Sequence, residues 1–175
     1  MKTLVIYKSI SGFTKKYAEW IAEELNGDLF ALEDIDQNIF QDYNTIIFGG
    51  SLHMVGILGV DIIKKNLDTS LKNKKVIVFA TGASPYADDI QVEVANKNFS
   101  DHEKKHLRFY YFRGGFDFSK LDLLNKFLMT LLKWKLMFIK NKTAEEKGML
   151  AAYERPFDST RKENLKGLVD HARNE

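Results

Sequence analysis

The sequence predicts a single α/β domain of the doubly wound class, in which helices cover both faces of a parallel sheet. Short continuous apolar runs recur along the chain, and amphipathic helical patterns separate them. Apolar runs without alternation are typical of strands buried on both faces, and intervening helices favour parallel pairing. A length of 175 residues, with no repeat and no linker composition, fits one domain over residues 1–175.

The predicted elements follow in order along the chain. The first apolar run stops at Lys8, and the helix after it keeps its apolar positions on one face until Asn26 and Gly27 end it. A last helix is predicted from Thr160, because Thr160 and Glu163 have the spacing of a capping box. Strands are predicted at residues 3–7, 28–32, 45–50, 75–81 and 107–112, and the other helices at residues 14–25, 58–67, 86–98 and 121–140.

Composition excludes several classes of function. The chain has no cysteine, which rules out disulfides, thiolate metal sites and thiol redox chemistry. Its four histidines lack the spacing of metal ligands, so no metal site is predicted. A formal charge of +2, without a basic run interleaved with aromatic residues, argues against a nucleic-acid partner. The N-terminal apolar run is too short for a signal peptide, so we expect a cytoplasmic protein.

The turn after the first strand has the composition of an anion-binding loop. Backbone N–H groups at a helix N-terminus favour an anion, and hydroxyl groups add donors. Neither a nucleotide P-loop nor a dinucleotide G-x-G-x-x-G pattern is present, which favours a single phosphate group. An N-cap cluster without a ligand is the alternative. The residues of this turn are Ser9, Ile10, Ser11, Gly12, Phe13 and Thr14.

Two further glycine-containing loops follow predicted strands. One is GGSLHMVGILG at residues 49–59, and the other is TGASPY at residues 81–86. Ligands of doubly wound sheets bind outside the carboxyl ends of the strands. Glycines permit close approach of the backbone, and small polar residues beside an aromatic residue suit a flat ring that needs hydrogen bonds at its edge. Each loop alone could be an ordinary turn, but three such loops on successive strand ends predict one shared ligand site.

The stretch YKSISGFT, residues 7–14, resembles the phosphate loop of the flavodoxin superfamily, Ser/Thr-x-Ser/Thr-Gly-x-Thr directly after the first strand. The other two loops match the places where flavodoxins hold the isoalloxazine ring. The resemblance implies a five-stranded parallel sheet in the order 2-1-3-4-5 and one non-covalent FMN. It also implies that the phosphate is bound by Ser9, Ile10, Ser11, Gly12, Phe13 and Thr14, one side of the ring by Gly50, Ser51, Leu52 and His53, and the other side by Thr81, Gly82, Ala83 and Tyr86.

The sequence departs from the electron-carrier flavodoxins in two ways. Many carriers place a tryptophan in the second loop, where this chain has Leu52, His53 and Met54, and carriers are usually strongly acidic. Both departures look more like the branch that contains the menaquinone-dependent protoporphyrinogen oxidases. That branch has a loop similar to FGGSLHMVG and carries an aromatic, basic and apolar insertion after strand five, where this chain has residues 114–137.

The predicted helix at residues 121–140 is unusually apolar, with thirteen apolar residues in twenty. Its lysines argue against a transmembrane span, because charges at mid-bilayer are costly. On a helical wheel Asp122, Lys126, Thr130 and Lys133 share one side with Lys140, and apolar residues fill the wide remainder. One interpretation is a buried helix whose lysine stems reach out to solvent. The other is an interfacial helix, or a lid over an apolar substrate, with its basic stripe near lipid headgroups.

These observations favour an FMN-binding flavodoxin-like oxidoreductase that transfers electrons through its flavin. No nucleophile, metal site or catalytic pair stands out, so no catalytic residue is assigned. One alternative is a protoporphyrinogen oxidase-like or quinone-linked flavoenzyme, whose partner would be a quinone or a porphyrin-like ring rather than a redox protein. Peripheral contact with the inner face of a membrane through residues 121–140 is a further expectation. A second alternative is a phosphate-binding or signalling module without flavin, although a receiver domain would need an aspartate where Gly49 and Gly50 stand.

Overall fold

The computed structural model of the chain describes residues 2–53, 56–121 and 123–174. The chain forms β1 (Thr3–Lys8), α1 (Phe13–Leu25), β2 (Asp28–Ala31), β3 (Thr45–His53), β4 (Gly56–Ile57), α2 (Asp61–Asn66), β5 (Lys75–Gly82), α3 (Asp88–Asn98), α4 (Asp101–His106) and β6 (Arg108–Arg113). It continues through β7 (Gly115–Phe116), α5 (Leu123–Phe138), α6 (Ala144–Glu154), β8 (Phe157–Asp158) and α7 (Lys166–Arg173).

Five parallel strands form the main sheet in the order β2-β1-β3-β5-β6. Strand β4 is an additional short strand that pairs antiparallel with the end of β3, so the five parallel strands keep the relative order 2-1-3-4-5. The predicted flavodoxin-like fold class is therefore confirmed. All five predicted strands are present, and each continuous apolar run corresponds to a strand of this sheet.

Helices cover both faces of the sheet. Side chains of a strand alternate between its faces, so the neighbours Ile46 and Ile47 belong to two different apolar cores. Helices α2 and α3 complete one core, through side chains such as Ile63. Helices α1 and α7 complete the other, through side chains such as Tyr17. Burial on both faces explains why these strands have no polar alternation in sequence.

Four predicted helices, α2, α3, α5 and α7, begin later than expected, and for α2 and α7 the local reason is visible. Helix α2 begins at Asp61 rather than at residue 58, because the Leu58 N–H donates to the Ser51 carbonyl at 3.1 Å and holds residue 58 in a hairpin. The capping box predicted at Thr160 is wrong: the Thr160 N–H and hydroxyl both donate to Asp158 Oδ1, at 2.8 and 2.6 Å. A short 3₁₀ turn then precedes α7, which begins at Lys166.

An insertion separates β6 from α7. Strands β7 and β8 pair antiparallel and form its stem, and helices α5 and α6 form a hairpin above that stem. Tyr153 of α6 anchors the hairpin, since its ring packs edge-on against Phe116 with centroids 5.3 Å apart and lies 5.6 Å from Phe118. The predicted helix at residues 121–140 is therefore present as α5, outside the two cores of the sheet. Asp122, predicted on its polar side, lies outside the described residues.

Helix α5 turns its apolar side away from the protein. The side that carries Lys133 faces α6, where the Lys133 ammonium lies 5.5 Å from the centre of the Tyr153 ring. The interpretation of α5 as a buried core helix is therefore wrong. None of the helices within the described ranges is long and apolar enough to cross a membrane. The exposed apolar side chains of α5 are Leu123, Leu124, Phe127, Leu128, Leu131, Trp134, Met137 and Phe138.

Candidate functional site

The three predicted loops begin next to one another because their strands are neighbours in the sheet. Lys8 at the end of β1 is in register with Gly50 of β3, and Ser51 of β3 is in register with Thr81 of β5. All three strands are parallel, so their carboxyl ends lie at one edge. This is the edge at which doubly wound proteins bind their ligands.

A buried hydroxyl cluster, formed by Thr14, Ser51 and Thr81, joins the three loops directly. The Thr14 hydroxyl lies 2.7 Å from the Ser51 hydroxyl and 2.6 Å from the Thr81 hydroxyl. All three residues are buried, and the Ile10 N–H also donates to Ser51 Oγ at 3.1 Å. Since Thr14 belongs to α1, Ser51 to β3 and Thr81 to β5, the cluster fixes the three loops relative to one another.

The turn at residues 9–12 leads directly into α1. The Gly12 N–H donates to Ser9 Oγ at 3.1 Å, and Gly12 has a φ of 90°, a conformation that favours glycine. No side chain within the described part of the chain caps α1, whose first N–H groups have no partner inside the helix. These N–H groups and the half-buried Ser11 side chain form a donor set that suits a phosphate group.

The Phe13 side chain anchors this turn to the insertion. Phe13 is buried, and a Cβ placed on Gly115 would lie 2.6 Å from its Cζ atom. Nearby, Lys16 of α1 forms an ion pair with Asp158 of β8 at 2.8 Å. Phe13 can therefore offer a ligand its backbone N–H, while its ring holds the turn against the β7–β8 stem.

Of the residues predicted to line the ring, some lie close together and others are exposed to solvent. Leu52 and Gly82 are brought together, since a Cβ on Gly82 would lie 3.1 Å from Leu52 Cδ1. His53 and Ala83 are exposed at the ends of their strands. Tyr86 is 54% exposed, and its hydroxyl donates to Asp88 Oδ1 at 2.8 Å rather than toward the other loops. Met54 and Val55 of the second loop lie outside the described residues.

Packing within the protein explains why position 50 is a glycine, and no ligand is needed for that explanation. A Cβ there would lie 2.4 Å from Ile57 Cγ2 and 2.7 Å from the Leu58 carbonyl oxygen. The β3–β4 hairpin closes directly over this position. Gly50 therefore permits the hairpin to fold back, whereas Ser51 beside it belongs to the hydroxyl cluster.

Comparison with known proteins identifies the family of the chain. Residues 4–143 match the model of the flavodoxin domain. The chain belongs to this family. Over 87 residues it is 36% identical to the uncharacterized protein MJ0298 of Methanocaldococcus jannaschii, a match that covers 49% of this chain and 57% of that relative. The chain therefore spans a little over half the length of this relative.

Solved flavodoxin structures are also similar to the chain. Oxidised flavodoxin 1 from Bacillus cereus is 21% identical with a TM-score of 0.41, and the alignment covers 82% of this chain and 100% of that one. A flavodoxin from the domain Archaea is 24% identical with a TM-score of 0.40, over 65% of this chain and 85% of that one.

Two tyrosines that the sequence analysis did not single out support the site of this flavodoxin domain. The Tyr111 hydroxyl donates to the Ser84 carbonyl at 2.8 Å and so holds the third loop, and burial raises the Tyr111 pKa to about 12. The Tyr17 hydroxyl donates to the Arg113 carbonyl at 2.9 Å and accepts from the Arg161 N–H at 3.2 Å. In the sequence Tyr111 stands between aromatic residues and Tyr17 occupies an apolar position of the first predicted helix, so nothing but their hydroxyls indicates these roles.

Charged groups near the turn at residues 9–12 are already paired. Lys8 donates to Glu33, and this hydrogen bond holds the pKa of the Glu33 carboxyl below its usual range. Burial opposes ionisation of Asp158, but hydrogen bonds from Lys16 and Thr160 outweigh it and lower the Asp158 pKa. Within the described ranges of this flavodoxin domain, no group of three or more His, Cys, Asp or Glu side chains is arranged to hold a metal ion.

Proposed function

We propose that this chain binds one FMN non-covalently and transfers electrons through it. The observation that supports this most directly is the hydroxyl cluster, which joins three strand-end loops beside the uncapped N-terminus of α1. When bound, the flavin would supply the one- or two-electron chemistry. The chain would bind the cofactor, orient its ring and set the polarity around it.

The phosphate would be bound by the turn at residues 9–14. Ser11 would donate its hydroxyl and N–H, and the N–H groups of Phe13 and Thr14 point along the axis of α1. Ser9 would act mainly on the shape of the turn, because its hydroxyl accepts from the Gly12 N–H. The Thr14 hydroxyl would connect this turn to the second and third loops through the hydroxyl cluster.

The ring would lie at the ends of β3 and β5. Leu52 offers an apolar contact beside Gly82, and the exposed ring of Tyr86 is free to stack on a flat ligand. Backbone groups of Gly82 and Ala83 would meet the polar edge of the ring. His53 is exposed at the end of β3, within the same edge of the sheet.

Titration with FMN, riboflavin and FAD tests this assignment. Riboflavin lacks the phosphate, so losing about two charge-assisted hydrogen bonds should weaken its binding by roughly 3 kcal/mol, more than a hundredfold, relative to FMN. Ser11→Ala should weaken FMN binding and leave riboflavin binding unchanged. Ser70→Ala, at an exposed position in a distant turn, is the control. Equal affinities for riboflavin and FMN would show that the turn at residues 9–14 does not bind the phosphate.

The same titration tests the flavin-free alternative. A purified protein that shows no flavin absorbance and binds neither FMN nor riboflavin, yet binds inorganic phosphate, would be a phosphate-binding module on the flavodoxin fold. Ser11→Ala should then weaken the binding of inorganic phosphate.

An apolar electron acceptor is a second candidate. The insertion carries a broad exposed apolar face on α5, and its stem packs on Phe13 at the phosphate turn. This proximity favours a quinone-linked or protoporphyrinogen oxidase-like activity, with a quinone or porphyrin-like ring as substrate. Anaerobically reduced protein should then be reoxidised rapidly by a soluble quinone, and Phe127→Ser should slow that reaction. Equal rates for the wild type and this variant would favour a redox protein as the partner instead.

A further inference from the structure

We propose that helix α5 docks on the surface of an anionic lipid bilayer, with its apolar side in the boundary between headgroups and acyl chains. This inference concerns the insertion alone and does not depend on flavin binding. Monomeric soluble proteins rarely expose large contiguous apolar patches, and such patches mark interaction sites. The side of α5 that is directed away from the protein is a patch of this kind.

Aromatic and aliphatic side chains dominate this side of α5. Phe127 is 61% exposed, Trp134 is 58% exposed and Phe138 is 85% exposed, and Leu124 and Leu131 lie between them on the same side. A helix of 16 residues is about 24 Å long, so it can lie flat on a bilayer with several turns in contact. A face of aromatic and aliphatic residues accompanied by exposed lysines, here Lys135 and Lys140, is typical of helices that lie in a membrane interface.

Contacts on the opposite side keep this patch directed outward. The Tyr153 hydroxyl donates to the Met129 carbonyl at 2.8 Å, Lys133 lies over the Tyr153 ring, and Leu136 is buried. Rotating α5 to bury Phe127 would break the two contacts with Tyr153 and expose Leu136. Since Tyr153 also packs on Phe116 in the stem, the hairpin presents the apolar side from a fixed base.

The positive charge of the insertion indicates that the surface bound by α5 is anionic. Residues 120–147 contain seven lysines and three acidic residues, a net charge of +4, whereas the whole chain carries only +2. A second copy of the chain would bring a segment of the same sign against this face, which is unfavourable. An anionic lipid surface attracts it, and each lysine near such a surface contributes about 1 kcal/mol, roughly fivefold in affinity.

Trp134 reports the docking directly. The chain has two tryptophans, so Trp20→Phe leaves Trp134 as the only one. Vesicles that contain phosphatidylglycerol should shift its emission to the blue, and brominated acyl chains should quench it. Phe127→Ser with Phe138→Ser should weaken vesicle binding by about tenfold or more, because the lost apolar area no longer inserts. Val92→Ser, which removes an exposed apolar side chain from α3, should leave binding unchanged.

Substitution of lysines separates the electrostatic contribution from the apolar one. Lys135→Gln with Lys140→Gln should weaken binding by about 25-fold at low salt. The same exchange at Lys65 and Lys72, which are exposed on other parts of the surface, is the control. Equal binding to phosphatidylcholine vesicles, or no binding to phosphatidylglycerol vesicles, would overturn the proposal. So would concentration-dependent dimerisation in sedimentation velocity that Phe127→Ser abolishes, since a second copy would then cover α5.

Discussion

The Thr14 hydroxyl lies 2.6 Å from the Thr81 hydroxyl, although the two residues are 67 positions apart in the chain. Thr14 is at the start of α1 and Thr81 is near the end of β5, and both are buried. With Ser51 as the third member, the two hydrogen bonds of the cluster use two of the three hydroxyl protons, because each hydroxyl can donate once. The loops at this edge of the sheet are thus held in place by the protein itself.

The contribution of this cluster to stability is measurable with a matched pair of substitutions. Thr81→Val keeps the side-chain shape but leaves a buried Thr14 hydroxyl with one partner fewer, and we expect the free energy of unfolding to fall by about 1–2 kcal/mol. Thr45→Val is the control, because Thr45 Oγ1 is buried and has no hydrogen-bond partner among the described residues. That substitution should leave the stability unchanged or raise it by up to about 1 kcal/mol.

Urea denaturation measures the free energy of unfolding of both variants, provided that the m-value is unchanged. If Thr81→Val and Thr45→Val change the midpoint equally, the hydroxyl cluster contributes nothing beyond side-chain volume.

The conformation of Gly12 leads to a second prediction. Neither Gly12 nor Gly148 has another atom within 4 Å of the position of an added Cβ, so steric contact does not distinguish them. Gly12 has a φ of 90°, and Gly12→Ala should lower the free energy of unfolding by about 1–2 kcal/mol. Gly148 lies within α6, where Gly148→Ala should raise it by up to about 1 kcal/mol. The midpoint temperatures of thermal denaturation of the two variants should therefore shift in opposite directions, downward for Gly12→Ala and upward for Gly148→Ala.

The fold was largely predictable from sequence because burial on both faces leaves a strong local pattern. The runs TIIFGG and KVIVFAT predict β3 and β5 without any knowledge of their neighbours. Errors arose where two local explanations compete for one residue. Thr160 has the spacing of a capping box with Glu163, but the nearer Asp158 accepts both of its hydrogen bonds. Both Glu163 and Asp158 are present in the sequence, and spacing alone does not show which of them Thr160 contacts.

The sequence predicts that three loops share one edge of the sheet, but not the hydrogen bonds that join them. Contact between Thr14 and Thr81 depends on the register of β3 against β5, which sequence patterns do not specify. The sequence likewise does not specify which side of α5 faces away from the protein. A helical wheel separates Lys133 from Phe127, but the side that meets the protein is decided by Tyr153 on α6, a helix that the sequence analysis did not predict.

Tyr86 carries a third prediction, for the proposed flavin site. Its ring is more than half exposed, and its hydroxyl donates to nearby Asp88, so the ring can stack on a flavin without breaking core contacts. Tyr86→Ala should weaken FMN binding by about 1 kcal/mol beyond the loss of area, and Tyr86→Phe should retain the affinity. Fluorescence titration of the two variants distinguishes stacking from a contact made by the hydroxyl. Unchanged affinity and quenching in Tyr86→Ala would remove Tyr86 from the site.

The ion pair between Lys16 and Asp158 leads to a prediction about pH. The folded state lowers the Asp158 pKa, so the pair contributes stability above the unfolded-state pKa, and that contribution disappears as the pH falls through the lower folded-state value. Asp158→Asn removes the charge and retains an acceptor for Thr160. The Lys16 and Asp158 side chains are 41% and 45% exposed, so solvent screens the pair and we expect this variant to be less stable at pH 7 by no more than about 1 kcal/mol.

The difference between wild type and Asp158→Asn should shrink as the pH falls below about 4, the ordinary carboxyl pKa, toward the lower folded-state pKa of Asp158, because protonation then removes the charge from the wild-type protein as well. Urea denaturation at a series of pH values measures this difference in the free energy of unfolding. Lys16→Met should show the same pH dependence, since it removes the other half of the pair, and the double variant should lose little more than either single one. A difference that does not shrink as the pH is lowered would mean that the Asp158 side chain stabilises the stem through its hydrogen bonds to Thr160 rather than through its charge.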